Sequence, residues 1–163
     1  MMMPWKRNPQ SPSKPALTPV EPLTAQALIW LLAALVLAVA PHARELPIWL
    51  IALFAGVSGW RGYIVIRNRN LPPRWALLIL AVAAGAGVLL EYRTLLGRDA
   101  GVALLTAMTA CKLMETRSLR DGVVVVLLGY LLVMSTLLYS QDIPIVAYLL
   151  IVIVVMLAAQ VLI

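Results

Sequence analysis

The 163-residue sequence holds one cysteine, one histidine and seven acidic residues. A single cysteine, Cys111, forbids an internal disulfide. It sits in an apolar run, where a thiol behaves as a small buried hydrophobe and lacks the polar, accessible surroundings that make one reactive. A single histidine, His42, supplies no ligand set for zinc, so neither metal nor cofactor is expected. No nucleophile and base converge in the sequence, which ranks a small self-contained enzyme last among the readings. Charged residues make up 12% of the chain, about half the roughly 25% usual in soluble domains.

What fills the chain is apolar. Hydrophobic residues reach 63%, and the mean hydropathy is +0.95. They come in long blocks separated by short polar punctuation, the pattern of successive bilayer spans. The fold class expected is therefore all-α, a polytopic transmembrane helix bundle of about six spans. A net charge of +6 would suit nucleic acid. The bases, however, fall between apolar blocks, which fits cytoplasmic loops of a membrane protein. The expected partner is the lipid bilayer, and no nucleic acid.

Residues 1–22 carry Pro4, Pro9, Pro12, Pro15, Pro19 and Pro22 among Lys6, Arg7 and Lys14, a composition that buries no core and reads as a disordered basic cytoplasmic tail. The spans expected are 23–40, 46–66, 75–90, 100–114, 123–139 and 144–163. The first imitates a secretory signal, with Ala38-Val39-Ala40 at its end. It reads as a retained span, because Pro41 obstructs cleavage and further spans follow. In the second, Pro47 stands where a helix start tolerates proline. Arg61, near one end, is expected to snorkel to the interface, with Trp49, Trp60 and Tyr63 in the aromatic belts. The third repeats small residues four apart, Ala81/Gly85 and Ala83/Gly87, as a helix-packing face does. The fourth is short and diluted by Thr106, Thr109 and Cys111, so shelter by its neighbours is expected, with Asp99 as a cap at its start. The fifth is β-branched yet expected to be helical, since an open strand leaves backbone groups unsatisfied in lipid. The sixth is still apolar at Ile163, as in a chain truncated within or at the edge of a span.

With the N-terminal tail in the cytoplasm and every block crossing, Lys6, Arg7, Lys14, Arg61, Arg67, Arg69, Arg74, Lys112, Arg117 and Arg120 lie inside. Only Arg44, Arg93 and Arg98 lie outside. That bias obeys the positive-inside preference, and it requires the fourth block to cross.

The richest polar stretch joins the fourth and fifth blocks. Lys112 and Glu115 are three apart, and Arg117 and Asp121 four apart, spacings that pair opposite charges on a helix. The expected role is an interfacial ion-pair cluster at the mouth of a helical hairpin. The runs Gly97-Arg98-Asp99-Ala100-Gly101, Lys112-Leu113-Met114-Glu115-Thr116-Arg117, Arg120-Asp121, Leu128-Gly129-Tyr130 and Ser140-Gln141 together resemble the N-terminal membrane domain of TgpA-type bacterial transglutaminases, as do Pro72-Pro73-Arg74-Trp75 and Pro41-His42. Arg98, Asp99, Lys112, Glu115, Arg117, Arg120, Asp121 and Gln141 are the candidate structural residues of that motif. None of them is expected to be catalytic.

The resemblance implies a larger parent: a multi-span N-terminal domain in the bacterial inner membrane, an external transglutaminase-like domain with a Cys-His-Asp triad, and a further span. Such a triad forms a thioester with a glutamine side chain that an amine then attacks. The function expected here is membrane anchoring, in a truncated or split form that lacks the catalytic domain. The expected partner is a periplasmic transglutaminase-like domain, in cis or in trans. His42 reads as an external loop residue, too far from Cys111 to act with it. The alternative is a stand-alone small transporter, which predicts a water-accessible cavity lined by Lys112, Glu115 or Arg61.

Overall fold

The computed structural model describes residues 24–67, 72–93, 97–139 and 142–163. The expectations for the tail and for Gln141 lie outside the described residues. The described residues form six α-helices in order: α1 Ala25–Val39, α2 Ile48–Arg67, α3 Arg74–Tyr92, α4 Arg98–Glu115, α5 Leu119–Thr136 and α6 Ile143–Val161. Several run past the apolar blocks into flanking charged residues. A spanning helix keeps its backbone bonds through the headgroup layer, so loss of hydrophobicity does not end it.

Local chemistry sets the ends. Thr24 caps α1, its hydroxyl oxygen accepting from the Ala27 amide at 3.2 Å. Pro41 closes α1 into a 3-10 turn over Ala40–Arg44. Prolines also open helices: the Pro47 carbonyl accepts from the Leu50 and Ile51 amides, and that of Pro73 from Ala76 and Leu77. Ser118 and Asp121 form a capping box at the start of α5, each side chain accepting from the other's backbone amide.

The helices pack as a ring of α1, α2, α4 and α5, with α6 against α1 and α5, and α3 against α4. Among the described residues five helical segments are long and apolar enough to span a bilayer; α4 is not among them. It is nevertheless the helix most enclosed by protein, touching α2, α3 and α5. Thr106 and Thr109, fully buried, donate their hydroxyls back to the Val102 and Leu105 carbonyls at 2.8 and 2.7 Å. A helix that meets neighbours on three sides needs little hydrophobicity of its own, because lipid scarcely reaches it. The outer faces of α3 and α6 carry the opposite signature, with Leu78, Ile79, Val82, Leu150, Ile151 and Val154 exposed.

The small-residue face of α3 packs differently from expectation. Ala84, Val88 and Leu77 are buried, whereas Ala81 and Ala83 are exposed and a Cβ at Gly85 would meet open space. Only Gly87 makes a close approach, and its partner is the Trp49 ring, 2.9 Å from where a Cβ would sit. Trp49 thus turns inward over α3, while Trp60 and Tyr63 are exposed.

Candidate functional site

The polar residues gather at the two ends of the bundle. At one end lie the starts of α1, α3 and α5 and the C-termini of α2 and α4. There Lys112 is held between Glu115 at 3.1 Å and Asp121 at 3.3 Å, which ties α4 to α5. Arg117 donates its guanidinium to the Pro72 carbonyl at 3.2 Å, tying the α4–α5 junction to the start of α3. Arg120 is exposed at the first turn of α5.

The Lys112–Glu115 pair forms as the spacing suggests, but Arg117 and Asp121 do not pair through their side chains. Asp121 instead accepts from the Arg117 amide at 3.2 Å. The helix breaks between Glu115 and Leu119, so four-residue helical spacing does not govern residues 117 and 121.

Arg61 is a second departure. It does not snorkel: it is 5% exposed and donates from α2 to the Thr116 carbonyl at the C-cap of α4. The last carbonyls of a helix have no partner within it, and Arg61 supplies one across the interface.

The opposite end repeats that device. Arg98, at the start of α4, donates to the Leu138 carbonyl just past α5 at 3.1 Å and stacks over the Tyr139 ring at 4.3 Å. The Tyr139 hydroxyl donates to Asp99 at 2.9 Å, and Arg98 lies 3.4 Å from the same carboxylate oxygen. Asp99 therefore does not cap α4, whose N-cap is Gly97 without a side-chain bond. Its carboxylate is drawn to the Tyr139 hydroxyl and the Arg98 guanidinium. Arg98–Leu138 at one end and Lys112–Asp121 at the other make α4 run antiparallel to α5 along the bundle.

His42 is the residue that sequence reasoning misplaces most. It is 1% exposed within the 3-10 turn, not an open loop residue. Its ring edge meets Tyr139 at 5.9 Å, and Nε2 lies 2.9 Å from the Ser135 hydroxyl oxygen. Ser135 in turn lies 2.7 Å from the Leu132 carbonyl, which accepts from its hydroxyl. The available signals were Pro41-His42 and the polar Ser135-Thr136 pair at the end of an apolar helix. Ser135→Ala is expected to cost about 1–2 kcal/mol, because Nε2 of His42 is then left buried without a partner. A double-mutant cycle with His42→Leu, read from unfolding in mixed micelles, should show a clearly non-additive pair.

Burial first, and then the hydrogen bond and charge of Asp99, push the Tyr139 phenol up from 10.0 to about 12. A folded value above the unfolded one means that its stabilising contribution is complete below about pH 10 and is lost as pH rises toward 12. Asp99→Asn should bring the latest tyrosinate transition to lower pH in an ultraviolet difference titration.

The arrangement fastens helix ends. His42 and Ser135 are close, but both are buried, so no substrate reaches them. Cys111 is half-buried on α4, thirteen residues or about 20 Å along the helix from the Arg98 end where His42 lies, so the two do not meet. Among the described residues no three His, Cys, Asp or Glu side chains group to hold a metal ion.

The chain is 40% identical over 115 residues to the protein-glutamine gamma-glutamyltransferase of Pseudomonas aeruginosa, an alignment that takes in 71% of this chain but only 17% of that enzyme. No solved structure matches the chain. Residues 30–163, from the first turns of α1 to the last residue, match the TgpA N-terminal domain, and it is to this family that the chain belongs.

Proposed function

We propose that this chain is the membrane-anchoring domain of a transglutaminase-like protein of the bacterial inner membrane, and that it holds a catalytic domain at the external surface in cis or in trans. The observation that carries the reading is the extent of the match: it covers the helical bundle here, yet only 17% of the relative named for glutamyl transfer. Acyl transfer through a Cys-His-Asp triad would then belong to the part beyond the aligned segment. The cross-linked helix ends suit a rigid platform, since Arg61, Arg98 and Arg117 each fasten one helix end to another.

Charge supports a cytoplasmic N-terminus. Arg61, Arg67, Lys112, Arg117 and Arg120 share the end with the α2–α3 and α4–α5 junctions, and that end faces the cytoplasm by the positive-inside preference. Reporter fusions after Ala43, Asn70, Leu95, Ser118 and Gln141 test it: 43, 95 and 141 should report the external side, and 70 and 118 the cytoplasm. Any break in that alternation overturns the orientation. Co-expression with the downstream transglutaminase-like region, followed by affinity purification through this chain, tests the partnership; failure to co-purify, with no such region in the same reading frame, overturns it.

The transporter alternative calls for a polar path. Lys112 and Glu115 do line a cavity, but its other walls are apolar side chains, and Arg61 is sealed against Thr116.

A further inference from the structure

Helices α3 and α5 both flank α4, and a slot of about 660 Å³ opens between them. That volume lies inside the range of about 300–1,000 Å³ typical of small-molecule sites. Its mouth is formed by Trp75, Lys112 and Glu115, at the end of the bundle that carries the basic junctions. Its far end is reached at Gly85 on α3, Leu104 on α4 and Leu128 on α5, and the walls between are almost wholly apolar. Trp75, Leu78 and Met108 on its rim are exposed, so the slot opens sideways.

Depth decides what fits. From Glu115 to Leu104 is eleven residues, about 16 Å of helix. Half of a hydrocarbon core of about 30 Å is about 15 Å, so the slot is one leaflet deep. A transmembrane helix of another protein or of a second copy would need a groove running the full thickness. An apolar slot of single-leaflet depth with charge and an indole at its mouth matches an amphiphile with one long chain.

At the mouth, Lys112 is closed between Glu115 at 3.1 Å and Asp121 at 3.3 Å, a charged cluster that marks the headgroup level. Trp75 adds an amphipathic ring at headgroup level. We propose that the slot holds one acyl chain of a phospholipid from that leaflet, with its headgroup outside the mouth beside Trp75. This goes beyond the anchoring reading, because it assigns a specific lipid site to a domain that anchoring alone would leave surrounded by exchanging bulk lipid.

The test reconstitutes the full chain in vesicles of phosphatidylethanolamine and phosphatidylglycerol, doped with phosphatidylglycerol carrying a diazirine halfway along one acyl chain. After irradiation, adducts are mapped by mass spectrometry. They should concentrate at Ala81, Gly85 and Met108 over the exposed α6 residues Leu150, Ile151 and Val154, which report contact with bulk lipid. Gly85→Phe projects its ring into open space in the slot and should bring the slot yield down to the α6 level or below, with α6 unchanged. Equal labelling of slot and α6, insensitive to Gly85→Phe, overturns the proposal. So does a slot that stays unlabelled while α6 is labelled, which would mean that a protein segment covers it. Absence of labelling on α6 as well would instead sink the membrane reading itself.

Discussion

Gly129→Leu is expected to cost the bundle about 2–3 kcal/mol, read as an earlier unfolding midpoint in mixed micelles. Gly129 lies on α5 where α1 and α6 converge. A Cβ there would collide with the Met156 methyl of α6 and sit 3.1 Å from Leu35 Cδ2 of α1. Leu35 and Met156 are themselves fully buried, so neither has free space to move into. Gly129→Ala should be much milder. A single methyl needs far less room than an isobutyl group, with the flexible Met156 thioether and the Leu35 side chain each giving a little, and alanine gains about 1 kcal/mol of helix propensity over glycine. Removing the obstacle should rescue the large substitution: Met156→Ala on the Gly129→Leu background is expected to recover part of the loss, a coupling that two unrelated defects would not show. Equal losses in the single and double variants would refute the three-helix contact.

The fold was legible in the sequence because lipid leaves the backbone few choices. Apolar blocks separated by charged punctuation imply helices, and even the valine run at the start of α5 is helical. Which helices touch was not legible. In a soluble protein the polar face of a helix points away from the core, but these helices are apolar nearly all round, and α3 and α6 expose leucine, isoleucine and valine outward. Thr106 and Thr109 gave the one useful hint, since a helix that tolerates them in lipid must be enclosed, and α4 is.

The candidate site was half legible for the same reason. Contacts within one helix, such as Lys112 with Glu115, follow from spacing alone. Contacts made across the bundle do not: His42 meets Ser135 at a separation of 93 residues, and Arg61 meets Thr116 at 55. Both involve residues whose sequence neighbourhood suggested exposure, a loop for His42 and an interface for Arg61. Proximity to the end of a span permits snorkelling, but it also places an arginine beside the unpaired carbonyls of neighbouring helix ends.

That competition makes Arg61 the decisive residue for the end of the bundle that carries the α2–α3 junction. Thr116 is fully buried, and its carbonyl closes α4 where the chain leaves the helix. Arg61→Leu keeps the apolar stem but strands that carbonyl away from water, at an expected cost of about 2 kcal/mol. The guanidinium itself is imperfectly matched, since Nε is buried without a partner, and relief of that mismatch keeps the loss from being larger. Arg61→Lys should retain only part of the stabilisation, because a compact ammonium lacks the planar fork that reaches the carbonyl. Hydrogen exchange locates the effect: amides in the last turn of α4, around Leu113 to Thr116, should exchange faster in Arg61→Leu, while those of α6 keep their rates. A snorkelling arginine would give the reverse, with Arg61→Leu neutral or stabilising and exchange at the end of α4 unchanged.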